Sequence, residues 1–216
     1  MVLSTWPKPA GLTVFPRHDD PGSDCVLARL LAAEPERGAV GWPAGFEGGI
    51  AHRLDTATSG AVAVASDPEQ LAWLRELFGR RRLRKVYRFV AARDVSWDTN
   101  RCALPVAHDR RRKGRMIVQR GRATPHRGRW LPAVTQLLRL DGSLWEATMR
   151  TGVMHQIRVH AAFVGLPLRG DRAYGGGAAT PSQPGFQLHH MGFEGPGVRT
   201  APVQTPAWAV SGNSLD

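Results

Sequence analysis

An α+β fold built on a large antiparallel or mixed sheet is what this sequence predicts, and three observations predict it. Apolar runs of strand length outnumber those of helical length. Neighbouring runs are joined by hairpin signals, the plainest being Asp141-Gly142-Ser143 between 133–140 and 144–150. Helical spacing is confined to three short segments. In chain order, Lys8-Pro9-Ala10-Gly11-Leu12-Thr13-Val14 reads as a turn leading into a short strand, and 16–24 as a loop. Val26, Leu27, Leu30 and Leu31 predict a helix over 25–33, and 41–49 is again loop. A strand is expected at 60–65. Ser66-Asp67-Pro68-Glu69 then starts a helix to about residue 78: a capping side chain, proline in the first turn and an acid, with Leu71, Leu74 and Phe78 on the apolar face. Residues 86–91 read as a strand. The segment 101–129 reads as irregular, with one short strand at 116–118. Ile157, Ala161 and Val164 mark a third helical face, stopped at Gly165. A last strand is expected around 186–194. The tail 195–216, rich in Pro, Gly and Thr, is expected to add little core.

The 216 residues, 42% of them apolar, suffice for one globular domain over 1–216 with a proper core. No apolar stretch reaches the ~20 residues of a membrane helix, and the N-terminus lacks a secretory pattern. Cys25 and Cys102 are the only cysteines, far apart and without metal-ligand spacing, so a reduced, cytoplasmic chain is expected. The net charge of +11 is carried almost wholly by arginine, whose planar fork suits phosphate. Residues 101–129 alone hold ten Arg and Lys against one acid, Asp109. That block, with Arg110, Arg111, Arg112 and Lys113 at its centre, points to a polyanion partner.

Against this basic background one acid stands out, in "GIAHRLDTATSG" (49–60). Taken alone, Asp55 reads more readily as an Asx-turn or helix-cap aspartate before Thr58-Ser59-Gly60. Arg53 and Thr56 bracket it, and the strand that follows would hold the loop rigidly. The second polar cluster is His155-Gln156-Ile157-Arg158-Val159-His160. No Cys or acid joins its histidines, so a zinc site is poorly supported. There is no serine elbow, Walker loop or dinucleotide glycine motif.

Together the clusters resemble the RluA-type pseudouridine synthases. The resemblance runs from about residue 8 to 193. It rests on "HRLDTATSG" (52–60), "KVYRFV" (85–90) and "TGVMHQIRVHAAFVGLPLRGDRAYGG" (151–176), with support from "KPAGL" (8–12), "GRMIV" (114–118), "PAVT" (132–135) and "LHH" (188–190). It implies a catalytic domain with a bent sheet, flanking helices and a central cleft, and isomerisation of uridine to pseudouridine in ribosomal or transfer RNA. Asp55 would be the catalytic carboxylate, Tyr87 the tyrosine that stacks on the base, and Arg158 the arginine that pairs with the carboxylate. His52, Arg53, Thr58, His155, Gln156 and Leu168 (or its neighbour Leu166) would contact the substrate, Arg53 filling the place of a flipped base. The basic block would grip phosphates. No metal or organic cofactor is implied, and a monomer is expected. About seven residues precede "KPAGL", so the extra N-terminal RNA-binding domain of some relatives is expected to be absent.

Two positions depart from the family pattern. Val153 replaces an arginine after the glycine of the third motif, and Ala57 stands where an acid is common. Two other functions compete with the leading one. A non-catalytic RNA-binding protein would explain the charge but not Asp55. A hydrolase using Asp55 with His155 or His160 would leave the basic surface unexplained.

Overall fold

The structure, a computed structural model, describes residues 2–180, 185–195, 197–201 and 203–210. The chain divides into two compact units, residues 1–85 with 190–205, and 86–189 with 206–216.

The first unit is organised by β3 (Ser59–Ala63), whose alternation is buried on both faces. Val62 and Val64 face α1 (Val26–Ala33), which contributes Val26 and Leu30. Ala63 and Ala65 face α2 (Pro68–Gly79), which contributes Leu71 and Leu74. Period two in the strand and period 3.6 in the helices thus make two small cores on opposite sides of one strand. Helix α2 starts as the sequence predicts, and α1 begins one residue later than expected, with Cys25 as its cap. Asp67 accepts from the Gln70 N–H at 2.7 Å, and the Cys25 thiol accepts from the Ala28 N–H at 3.3 Å. β2 (Thr5–Lys8) pairs antiparallel with β3, placing Lys8 beside Gly60. The strand therefore precedes the "KPAGL" turn instead of following it. β3 also pairs with β11 (Leu188–Gly195), which continues antiparallel into β12 (Val198–Thr200) and, in parallel, β1 (Val2–Leu3). The parallel β1–β12 pair beside the antiparallel β11–β12 and β2–β3 pairs makes the sheet mixed.

In the second unit, β4 (Arg84–Val90) leads to β10 (Leu144–Met149), β9 (Thr135–Asp141) and β5 (Thr99–Cys102). The β9–β10 hairpin turns at Asp141-Gly142-Ser143, where Gly142 takes a positive φ of 45°. α3 (Gln156–Phe163) ends in Gly165 at φ 87°.

Two more expectations are corrected here. The segment 101–129 is not irregular: after β5 it forms a three-stranded antiparallel sheet of β6 (Val106–Asp109), β7 (Met116–Val118) and β8 (His126–Leu131). Its apolar face is only Val106, Met116 and Val118, packed with Ala133 and Val159 of α3, and β8 (HRGRWL) shows no alternation at all. The pattern was too short to be seen among the arginines. The tail also adds core: Val198 and Ala209 are both buried. Residues 196, 202 and 211–216 of that tail lie outside the described residues.

Candidate active site

Asp55 sits at the head of a tight turn, its carbonyl accepting from the Thr58 N–H at 2.9 Å. The turn is pinned from below by Lys8. That side chain is 2% exposed, and its ammonium donates to the carbonyls of Pro9 (3.1 Å), Thr56 (2.9 Å) and Thr58 (2.6 Å). All three ammonium protons are thereby used, two of them on the carbonyls that flank the turn. Burial lowers the Lys8 pKa to about 8, opposed by the attraction of the Asp55 charge. A second bond, Gly11 N–H to the Thr56 carbonyl at 2.8 Å, ties the "KPAGL" turn to the same loop. The loop ends at Gly60, whose φ is +122° and where a Cβ would lie 2.2 Å from the His190 carbonyl oxygen. Only glycine permits that approach.

Thr58 is buried and Arg53 exposed. His52 is enclosed by the edges of Phe78, Phe193 and His190. Its Nε2 accepts from the Ala63 N–H at 3.0 Å, which places the ring proton on Nδ1, toward the Arg53 carbonyl. Burial, and then the nearby His190 and Lys85, hold its pKa well below the ordinary histidine range. A neutral His52 thus clasps the strand that follows the loop.

The remaining predicted residues belong to the second unit. Tyr87 is 5% exposed on β4, and Leu166 and Leu168 are fully buried. Arg158 lies on α3, and its guanidinium forks onto Asp171, Nε to Oδ2 at 2.7 Å and Nη2 to Oδ1 at 3.0 Å. The carboxylate is 1% exposed. The rings of Phe186 (4.3 Å) and Tyr174 (5.0 Å) lie against the same guanidinium. A bidentate pair between aromatic faces fixes both position and orientation.

His155 heads α3 in a left-handed conformation (φ 54°, ψ 19°), rare for a residue with a Cβ. Tyr174 helps hold it there. The tyrosine oxygen accepts from the Met116 N–H at 2.8 Å and lies 2.9 Å from His155 Nδ1. Gln156 and His160 form a continuous polar chain. Gln156 Nε2 donates to the Val134 carbonyl and the Thr135 hydroxyl, and its Oε1 accepts from Thr151 and the Val153 N–H. Thr135 then faces His160 Nδ1 at 2.9 Å, while His160 Nε2 donates to the Leu104 carbonyl at 2.9 Å. Burial lowers the His160 pKa, as a neutral ring with one donor and one acceptor requires. With both nitrogens engaged, His160 has none left for a metal or for activating water. Val153 packs against the Val106–Met116–Val159 core. Arg110, Arg111, Arg112 and Lys113 stand exposed in the β6–β7 turn.

Sequence reasoning gave no role to Lys8, Asp171 or Tyr174. All three lie inside quoted motifs, so the signal was present. What was missing was the knowledge of which carbonyls, guanidinium and amide they meet.

Known proteins resemble this chain in sequence and in fold. Residues 3–163 match the family profile described as RNA pseudouridylate synthase. RNA pseudouridine synthase 2, chloroplastic, of Oryza sativa subsp. japonica is 38% identical over 133 residues, covering 59% of this chain and 29% of that protein. Ribosomal large subunit pseudouridine synthase D of Xylella fastidiosa is 34% identical over 175 residues, 81% of this chain and 49% of that protein. The chain thus spans roughly a third to a half of the length of the curated relatives it matches. The solved structure of human RNA pseudouridylate synthase domain containing 1 superposes with a TM-score of 0.71 at 22% identity, covering 94% of this chain and 78% of that one. That likeness shows the fold.

Proposed function

Since the chain belongs to the RNA pseudouridylate synthase family, we propose that it isomerises a specific uridine to pseudouridine in ribosomal or transfer RNA, with Asp55 as the catalytic carboxylate. The observation that carries this reading is the loop of Asp55. A buried lysine spends its three protons on holding the turn, and a glycine with no room for a Cβ closes it. An ordinary surface turn needs neither. Rigid support of this kind is what a reacting carboxylate requires.

In the proposed reaction the bond from ribose C1′ to uracil N1 breaks. The base turns and C1′ bonds to C5. The C5 proton leaves to solvent and N1 gains one, so atoms and electrons balance without a cofactor. Asp55 acts at the sugar, Tyr87 stacks on the base, and Arg158 is the cation of the set. His52, Thr58, Gln156 and Leu168 act through shape and positioning, and Arg53 and His155 contact the RNA. The exposed Arg110, Arg111, Arg112 and Lys113 bind its phosphates. The target base leaves its stack to be reached. We place the protein in the cytoplasm as a monomeric single catalytic domain. No helix among the described residues is long and apolar enough to cross a membrane, and both thiols are free and buried.

The test is release of tritium from RNA labelled at uridine C5, with ribosomal and transfer RNA as separate pools. The wild-type protein should release tritium from one pool, and Asp55→Ala should release none above background. RNA binding without release by the wild type would favour a purely RNA-binding protein instead.

A further inference from the structure

A cavity of about 580 Å³ opens on the three-stranded sheet of the second unit. Strand register explains its floor. Ala107 pairs with Ile117, and Asp109 with His126, so these residues share the face opposite the one that buries Val106, Met116 and Val118. Ile117 and Asp109 line the cavity from that face. The walls are two loops. The β6–β7 turn supplies Arg111 and Arg112, and the β7–β8 loop supplies Arg120 and Thr124.

Both loops are held in shape. The Asp109 carboxylate accepts from the Arg111 N–H at 2.8 Å. The Thr124 hydroxyl accepts from the N–H groups of Arg120 and Gly121 at 3.0 and 3.1 Å, and donates to the Gly121 carbonyl at 2.9 Å. Arg111, Arg112 and Arg120 are exposed, and among the described residues none of them is in an ion pair.

Three guanidinium groups, an apolar floor and one carboxylate at the edge match the parts of a nucleotide. The arginines suit a phosphate, Ile117 the flat face of a base, and Asp109 the N–H groups of a base edge. An acidic peptide would satisfy the arginines but brings no flat base for Ile117 and no paired base-edge N–H groups for Asp109. We propose that this cavity binds one unpaired nucleotide of the RNA, other than the reacting uridine, and prefers guanine. Guanine offers N1–H and the N2 amino group side by side, the arrangement a carboxylate accepts best. The proposal rests on the reading of the protein as an RNA-modifying enzyme.

The test is fluorescence anisotropy on the full chain carrying Asp55→Asn, so that turnover plays no part. The probes are a single-stranded oligouridylate and the same RNA with one central guanosine. The guanosine should tighten binding about fivefold or more, in line with one well-formed base contact. Asp109→Asn should abolish that difference, because Asn can still accept from the Arg111 N–H and keep the turn while losing the charge. Arg120→Ala should weaken both RNAs alike. Equal affinity for the two probes, or a guanosine preference that survives Asp109→Asn, overturns the proposal. Free guanosine monophosphate competing as well as the RNA would overturn the RNA assignment in favour of a free nucleotide. A guanosine preference alongside absent tritium release would sink the catalytic reading only, and the reverse result would sink the cavity only.

Discussion

Arg158 and Arg111 lie in the same unit and carry the same side chain, yet they are used in opposite ways. Arg158 is buried, forked onto a carboxylate that is itself 1% exposed, and faced by two aromatic rings. Arg111 stands in solvent on a turn, with its backbone held and its guanidinium open. The first arrangement commits the cation to a geometry. The second leaves it available to a polyanion. Stability should therefore depend on the partners of the buried cations, and RNA affinity on the number of exposed ones.

The sharpest way to break this comparison is Asp171→Asn. Removing the charge dismantles a buried fork, and a change of this kind costs about 3 kcal/mol or more of stability. Urea unfolding measures it. A loss below about 1 kcal/mol, the size of an exposed ion pair, would mean that the pair behaves like a surface one.

Lys85 is the intermediate case. Its ammonium lies 5.3 Å over the Phe78 ring, and burial lowers its pKa to about 8 from the ordinary 10.5. Below pH 8 the folded and unfolded chains both carry the proton, so the full cost of burying the charge is present. Between pH 8 and 10.5 the unfolded chain binds more protons, and raising the pH stabilises the fold. Lys85→Met should therefore stabilise the protein most at neutral pH, by about 2 kcal/mol after allowance for partial exposure and the lost cation–π contact. The advantage should fade as the pH approaches 10.5. Paired melts at pH 7 and pH 10 test this, and a gap that grows with pH would refute it.

The same contrast explains what the sequence made legible. α2 was readable because Asp67, Pro68 and Glu69 act within one turn of each other and Leu71 and Leu74 repeat at helical spacing. The β9–β10 hairpin was readable because its turn chemistry is local. The β6–β8 sheet was not, since its buried side is three residues spread over thirteen positions, among arginines that face solvent. Within the site, Asp55 and Arg158 were picked out by motif. Lys8 reads in the sequence only as the first residue of a turn, because its partners Thr56 and Thr58 lie 48 and 50 residues away. Asp171 was hidden in the same way, thirteen residues from Arg158 across a loop. Sequence shows that a polar residue is present, and only the fold shows whether its partner is the protein or the solvent.

The smallest expected effect tests the exposed side of the comparison. Arg111→Ala combined with Arg112→Ala removes two open cations and no ion pair among the described residues. Stability should move by less than about 0.5 kcal/mol, as for surface positions generally. RNA binding should weaken, and the slope of log affinity against log salt should become shallower by about 1.4 if each arginine neutralises one single-strand phosphate. A titration of affinity at several salt concentrations reads this directly. An unchanged slope would show that the two arginines do not touch phosphate. A melting temperature lowered as far as that of Asp171→Asn would show that they support the sheet, and the division between buried and exposed arginines would then fail at the place where it looks clearest.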